Sequence, residues 1–168
     1  RRQRQMCIRD SLHCIGNAAV KQALDAFEAV QKKNGSKNLH NGIEHIESCC
    51  PEDIERFAKL GVLPAMQPIH AVLNVDGYPE ILGEKWRPYM WPIRSFIDAG
   101  AIVSFGTDAP VWHFNPMEGV YAAIERKQPW DGYPESGFVP EQRITLAQAL
   151  QAYTYGSAYV ENFEDRIG

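Results

Sequence analysis

The stretch Ala101 to Pro110, AIVSFGTDAP, constrains this chain more than any other. Its first five residues are too apolar and β-branched to alternate with solvent, so they read as a strand covered on both faces. A strand of that kind needs helices packed against it, and a chain supplies them by repeating strand and helix. Gly106 lets the backbone turn, Pro110 stops the strand, and Asp108 stands just past its C-terminal end. In parallel α/β sheets and barrels that rim carries the catalytic groups. A lone Asp is also a common turn residue and cap, so the other strand ends must decide between the two readings.

Three earlier units repeat the order. SLHCIGN, from Ser11, reads as a short strand delivering His13, with Asn17 as the N-cap of the next helix. Ala19, Val20, Ala23, Leu24, Phe27 and Val30 recur at helical spacing, and that helix ends near Lys32, Lys33 and Gly35. After the polar loop Ser36 to Asn41, Gly42 to Ile46 is a second strand, delivering Glu44 and His45. Pro51, Glu52 and Asp53 open a helix that Gly61 ends. Val62 to Gln67 is a third strand, running to Pro68 and His70, with Pro64 set against regular pairing. Asn74 to Trp91 reads as a long loop rich in Pro, Gly and aromatics, suited to a wall or lid. Helices follow at Ile93 to Ala99, after Asn115 and Pro116 (with Met117, Val120, Tyr121 and Ile124 on one side), at Leu146 to Tyr153 behind a Thr145/Gln148 capping box, and around Ala158 to Asn162. The repeated order predicts a parallel sheet.

Charge and cysteine usage narrow the partners. The chain has 17 basic and 21 acidic residues; the first eleven, RRQRQMCIRDS, hold four of the former and one of the latter, which leaves 13 against 20. So acidic a body argues against nucleic acid. The eleven-residue stretch resembles a translated sequencing-library adapter of the kind found at the ends of metagenomic reading frames. Residues 1–11 are therefore expected to be non-native, and 12–168 a partial domain truncated at both ends; the other reading is a basic arm. No run of about 18 apolar residues predicts a membrane span, and a cytoplasmic location is favoured. Cys14, Cys49 and Cys50 form no spaced framework, so a disulfide scaffold is not expected.

The residues at the strand ends are His13, His45, His70 and Asp108, separated by 32, 25 and 38 positions, plausible lengths for successive βα units. The chain has five histidines, and three fall on this one feature. In a parallel sheet these side chains share a rim. Imidazoles and a carboxylate converging there are the usual donors for Zn²⁺ or a similar divalent ion. Trp86, Tyr89, Trp91 and Trp112 read as lining for an apolar pocket.

LHCIGNAAVKQALDAFE, GIEHIE, PEDIERFAKLGVLPAMQPIHA, FGTDAPV with NPMEGVYAAI, and ITLAQALQAYTYGSAY together resemble the C-terminal half of a metal-dependent hydrolase of the amidohydrolase superfamily. The branch they are most similar to is family 3, which includes enzymes like N-substituted formamide deformylase. The resemblance implies an α/β fold, a TIM (βα)8 barrel of which this chain holds strands five to eight. It implies zinc or another divalent metal, as one ion or two, held by His13, His45 and Asp108. It also implies hydrolysis of non-peptide C–N bonds in a small amide-type substrate by a metal-activated water. Asp108 would take the proton, and His45 would bind metal or polarise the carbonyl. His70, Trp86 and Trp112 are then substrate contacts. Where the family often has an acid, this chain has Asn17, and where it often has a basic residue, Gly42. The ligands of strands one and four have no counterpart here. The competing readings are a non-catalytic half-barrel that binds or dimerises, and a different metal-dependent hydrolase on the same scaffold; the full-length enzyme is open to homo-oligomerisation.

Overall fold

The computed structural model describes residues 9–36 and 39–168. Residues 1–8 of the expected adapter stretch, and Lys37 and Asn38 of the polar loop, lie outside the described residues. Four parallel strands, β1 (Ser11–Cys14), β2 (Gly42–His45), β3 (Leu63–Met66) and β4 (Ser104–Phe105), form one sheet in the order β1-β2-β3-β4. Sequential order with right-handed crossovers puts the connecting helices on one face of the sheet and leaves the other free.

The two faces differ as that topology requires. Cys14, Ile43, Met66, Val103 and Phe105 alternate onto one side and join the buried apolar core with Val20, Leu24, Phe27 and Phe57. The register His13↔Glu44↔Ala65↔Ser104 defines the opposite face, which is mostly polar. Glu44, Gln67, Ser104 and Gly106 line an open cavity of about 180 Å³ there, with Arg9, Ser157, Val160 and Glu161 at its other side.

The helices are α1 (Asn17–Asn34), α2 (Pro51–Leu60), α3 (Gly77–Leu82), α4 (Ile93–Asp98), α5 (Pro116–Glu125), α6 (Leu146–Gln151) and α7 (Ser157–Val160). Gly61 closes α2 in the left-handed conformation at φ 62°, its N–H meeting the Phe57 and Ala58 carbonyls. Arg56 ties α2 to α1 through Asp25 at 2.7 Å and Glu28 at 2.9 Å, and also holds the buried Asp53. Phe57 meets Phe96 of α4 edge-on at 4.7 Å, a pairing that contributes about 1 kcal/mol beyond burial. No helix among the described residues is long and apolar enough to cross a membrane.

Several expectations change. Gly16, not Asn17, is the N-cap of α1; the Asn17 side chain instead accepts from the N–H of Ala18, and Ser48 Oγ accepts from the N–H of Asn17. The stretch from Asn74 to Trp91 contains α3 and a 3₁₀ helix, Glu84–Tyr89, because Asn74 and Gly83 start and stop local turns. Trp91 is a core residue, 1% exposed, packed on Tyr78 and Phe138. Helix α5 buries Gly119, Val120, Ala122 and Ala123 and leaves Met117 and Tyr121 outside. The helix from Leu146 does not end at Tyr153: a π-helical turn, Ala152–Gly156, carries it on into α7.

Strand β4 is shorter than its apolar run. Pro64 pairs with Ile43, but its nitrogen, on the β4 side, has no hydrogen to give. The ladder to β4 therefore begins one residue later, at Ala65↔Ser104. Behind it, the fully buried Arg126 donates to the carbonyls of Phe138, Trp91 and Met90. That fastens the inserted segment to the end of α5, and burial lowers the guanidinium to about 9.

Candidate metal centre

The C-terminal ends of the strands bend sharply. His45, at the end of β2, has φ 75°, and the N–H of Ile46 reaches back to the Glu44 carbonyl at 3.1 Å, a γ-turn centred on His45. Ile46 follows at φ 52°, a genuine outlier for a β-branched residue. Its N–H also meets the Cys14 carbonyl at 3.0 Å, so the turn is anchored to β1. Asp108 has φ 58°, and its carbonyl accepts from the N–H of Val111 at 2.7 Å. Strained backbone held by its surroundings clusters at functional sites.

These turns bring three side chains together. The ligand atoms of His45, His70 and Asp108 all lie within 4.8 Å of one another. His45 Nδ1 sits 2.9 Å from Oε1 of the buried Gln67, at the end of β3. With that nitrogen carrying the proton, Nε2 is the free donor atom. His70 lies in the 3₁₀ helix Pro68–Val72, where all five residues are buried, and its Nε2 is enclosed without a hydrogen-bond partner. Burial pushes its imidazole below the ordinary histidine value, against the opposing pull of the Asp108 carboxylate, while His45 adds to the fall. The Tyr78 hydroxyl, from α3, donates to the His70 carbonyl at 3.2 Å. An orphaned imidazole nitrogen, a second imidazole with its far nitrogen engaged, and a carboxylate fit a divalent cation.

His13 is exposed on β1, its ring 4.3 Å from that of His45 and edge-on to it, and stands beside the group of three, not within it. Trp112 follows four residues after Asp108. Its indole N–H donates to Glu118 at 2.7 Å, and its ring lies near those of His113 and Trp130. Trp86 is half-buried against the core in the 3₁₀ helix Glu84–Tyr89, with the Lys85 ammonium 5.6 Å over its ring. Gln67 escaped the sequence reading; the one available signal was a polar residue closing an otherwise apolar strand. Cys14, Cys49 and Cys50 are free thiols, and burial raises both Cys14 and Cys49 above the ordinary thiol range.

Protein LONG AFTER FAR-RED 3 of Arabidopsis thaliana is 29% identical over 160 residues, covering 94% of this chain and 27% of that protein. N-substituted formamide deformylase of Arthrobacter pascens is 29% identical over 155 residues, covering 89% and 27%. The crystal structure of an uncharacterised metal-dependent hydrolase from Pyrococcus horikoshii OT3 superposes with a TM-score of 0.83 at 27% identity, covering 98% of this chain and 32% of that one. The chain thus spans under a third of the length of these relatives. Residues 7–168 match the model of the amidohydrolase family, and the chain belongs to that family.

Proposed function

We propose that this chain is the C-terminal half, strands five to eight, of a (βα)8-barrel hydrolase that cleaves non-peptide C–N bonds in small amide-type substrates. The observation that carries the reading is the convergence of His45, His70 and Asp108 from three successive βα units onto one rim. Family membership supports hydrolysis, and a relative named for deformylating N-substituted formamides supports an amide-type substrate. A divalent ion, zinc being well matched to mixed nitrogen and oxygen donors, would supply Lewis acidity, making water nucleophilic at neutral pH and polarising an acyl oxygen.

The chain's own residues then have distinct tasks. Asp108, on a turn fixed by the N–H of Val111, accepts a proton from the attacking water and returns it to the leaving nitrogen. His45, oriented by Gln67, presents Nε2 to the metal or to the substrate carbonyl. His13 adds a donor beside His45, for the same ion or a second one. Trp86 and Trp112 are the apolar substrate contacts. Further donors are expected on strands outside this chain. In the complete protein, chelation should abolish hydrolysis of an N-substituted amide, and zinc should restore it. Hydrolysis that survives thorough chelation would exclude the reading.

A further inference from the structure

We infer that Arg126 is a positioning residue for substrate: from the end of α5 it clamps the inserted segment, Asn74 to Trp91, in place as a wall against which substrate is seated. The inference rests on the hydrolase reading above and concerns how that site holds its substrate. The insertion leaves β3 through the buried 3₁₀ helix Pro68–Val72 and returns beside the residues that follow β2. There Met90 bridges Ser48, the N–H of Trp91 donates to the Glu47 carbonyl at 2.9 Å, and the N–H of Cys49 donates to the Tyr89 carbonyl at 3.2 Å. The segment therefore stands at the C-terminal ends of β2 and β3, and it carries Trp86.

Its own packing does not hold the middle of the segment there. Pro79 is the one buried residue of α3, the 3₁₀ helix Glu84–Tyr89 buries none, and Ile81 is 76% exposed. Structure with so few buried contacts opens readily unless something outside fixes it. The fixing groups come from residues 126–133, just after α5. At the outgoing end, Gln128 Nε2 donates to the Val72 carbonyl at 2.9 Å and the Tyr133 hydroxyl to Asp76 at 2.8 Å. At the returning end, Arg126 places Nη1 3.4 Å from the Trp91 carbonyl and Nη2 3.3 Å from that of Met90. Its Nε donates to the Phe138 carbonyl at 2.8 Å, and its own carbonyl accepts from the N–H of Phe138 at 2.6 Å. The side chain is wholly buried, and among the described residues its guanidinium bonds to carbonyl oxygens only. Burying a cation without a carboxylate is unfavourable, so an apolar side chain would suit this space better if filling it were the whole task. A planar fork of five donors can span the carbonyls of two segments, which a compact ammonium cannot do with the same geometry.

The test uses the complete protein and two measurements, hydrogen exchange of the inserted segment and the kinetics of hydrolysis of an N-substituted amide. Arg126→Met keeps the bulk and removes the fork. It should speed exchange of the backbone amides of residues 78–91 by about tenfold or more and leave those of α1 unchanged. KM should rise by about tenfold or more with kcat within about threefold of its original value, because substrate and transition state lose the same wall. Arg126→Lys keeps the charge and should fall between the Met variant and the original in both measurements. The paired variant Gln128→Leu/Tyr133→Phe leaves the buried cation alone and should move both quantities in the same direction by about threefold, so it tests the clamp even if the Met variant does not fold. Unchanged exchange, or faster exchange with KM unchanged, would overturn the inference while leaving the hydrolase reading standing wherever turnover requires metal. A complete protein that hydrolyses no amide would remove the hydrolase reading, and the exchange rates would then decide the clamp by themselves.

Discussion

At the scale of single residues, the site depends on side chains that orient others. Gln67 contacts no substrate in this account, yet its oxygen on Nδ1 fixes which nitrogen His45 offers. Replacing Gln67 by Leu keeps the bulk and removes the acceptor. Zinc affinity should then fall by about 10–100-fold, as is usual when the partner of a ligating histidine is lost. Isothermal titration would show it, and an unchanged affinity would mean that the ring is held by packing alone. The histidines and Asp108 were legible in the sequence because strand ends recur at βα spacing. Gln67 was not, because an amide closing an apolar run looks like an ordinary strand terminus until the fold puts His45 against it. The γ-turn at His45 was equally hidden, since positive φ at a His followed by an Ile contradicts local preference and is imposed by the anchoring to β1.

At the scale of elements, the boundaries written in local chemistry were the readable ones. Pro51 and Gly61 bracket α2, Asn115 caps α5 by accepting from Met117, and Thr145 with Gln148 forms the capping box of α6. The shortness of β4 and the π-helical turn depend on what lies opposite in space. A Cβ on Gly156, in that turn, would stand 2.1 Å from the Val103 carbonyl oxygen, so this glycine lets the helix lie directly on β4. A Cβ on Gly119 would meet the Tyr153 hydroxyl at 1.9 Å, but that obstacle is the end of a side chain. Alanine in a helix is worth up to about 1 kcal/mol over glycine, whereas overpacking costs about 1–3 kcal/mol. Overpacking therefore wins decisively at Gly156, where backbone must move, and narrowly at Gly119. Gly156→Ala should lower Tm by about 6 °C or more and Gly119→Ala by less than about 4 °C. Equal losses in a thermal melt would show that the approach of the helix to β4 is not tight.

At the scale of the whole molecule, sequential strand order explains the division of labour. The connecting helices pack with the apolar face, the other face carries His13, Glu44, Gln67 and Ser104, and His45 and His70 meet Asp108 beyond the C-terminal ends of the strands. Strands β1 and β4 are the sheet's edges, and Leu12 and Ile15 stay exposed along the first, a liability that further strands of a barrel would relieve. That much of the architecture was readable from the repeat of strand and helix. The polar character of the free face was readable only in part, because register, not sequence, decides that His13, Glu44, Ala65 and Ser104 stand side by side. The claim that joins these scales is that Asp108 is the proton acceptor of a metal-dependent hydrolase. Its most direct test is the turnover of an N-substituted amide by the complete zinc-loaded protein and by its D108N variant, read beside their thermal melts. Turnover should fall by about 10²–10⁴-fold in the D108N protein with Tm nearly unchanged, and near-normal turnover would contradict the role of Asp108.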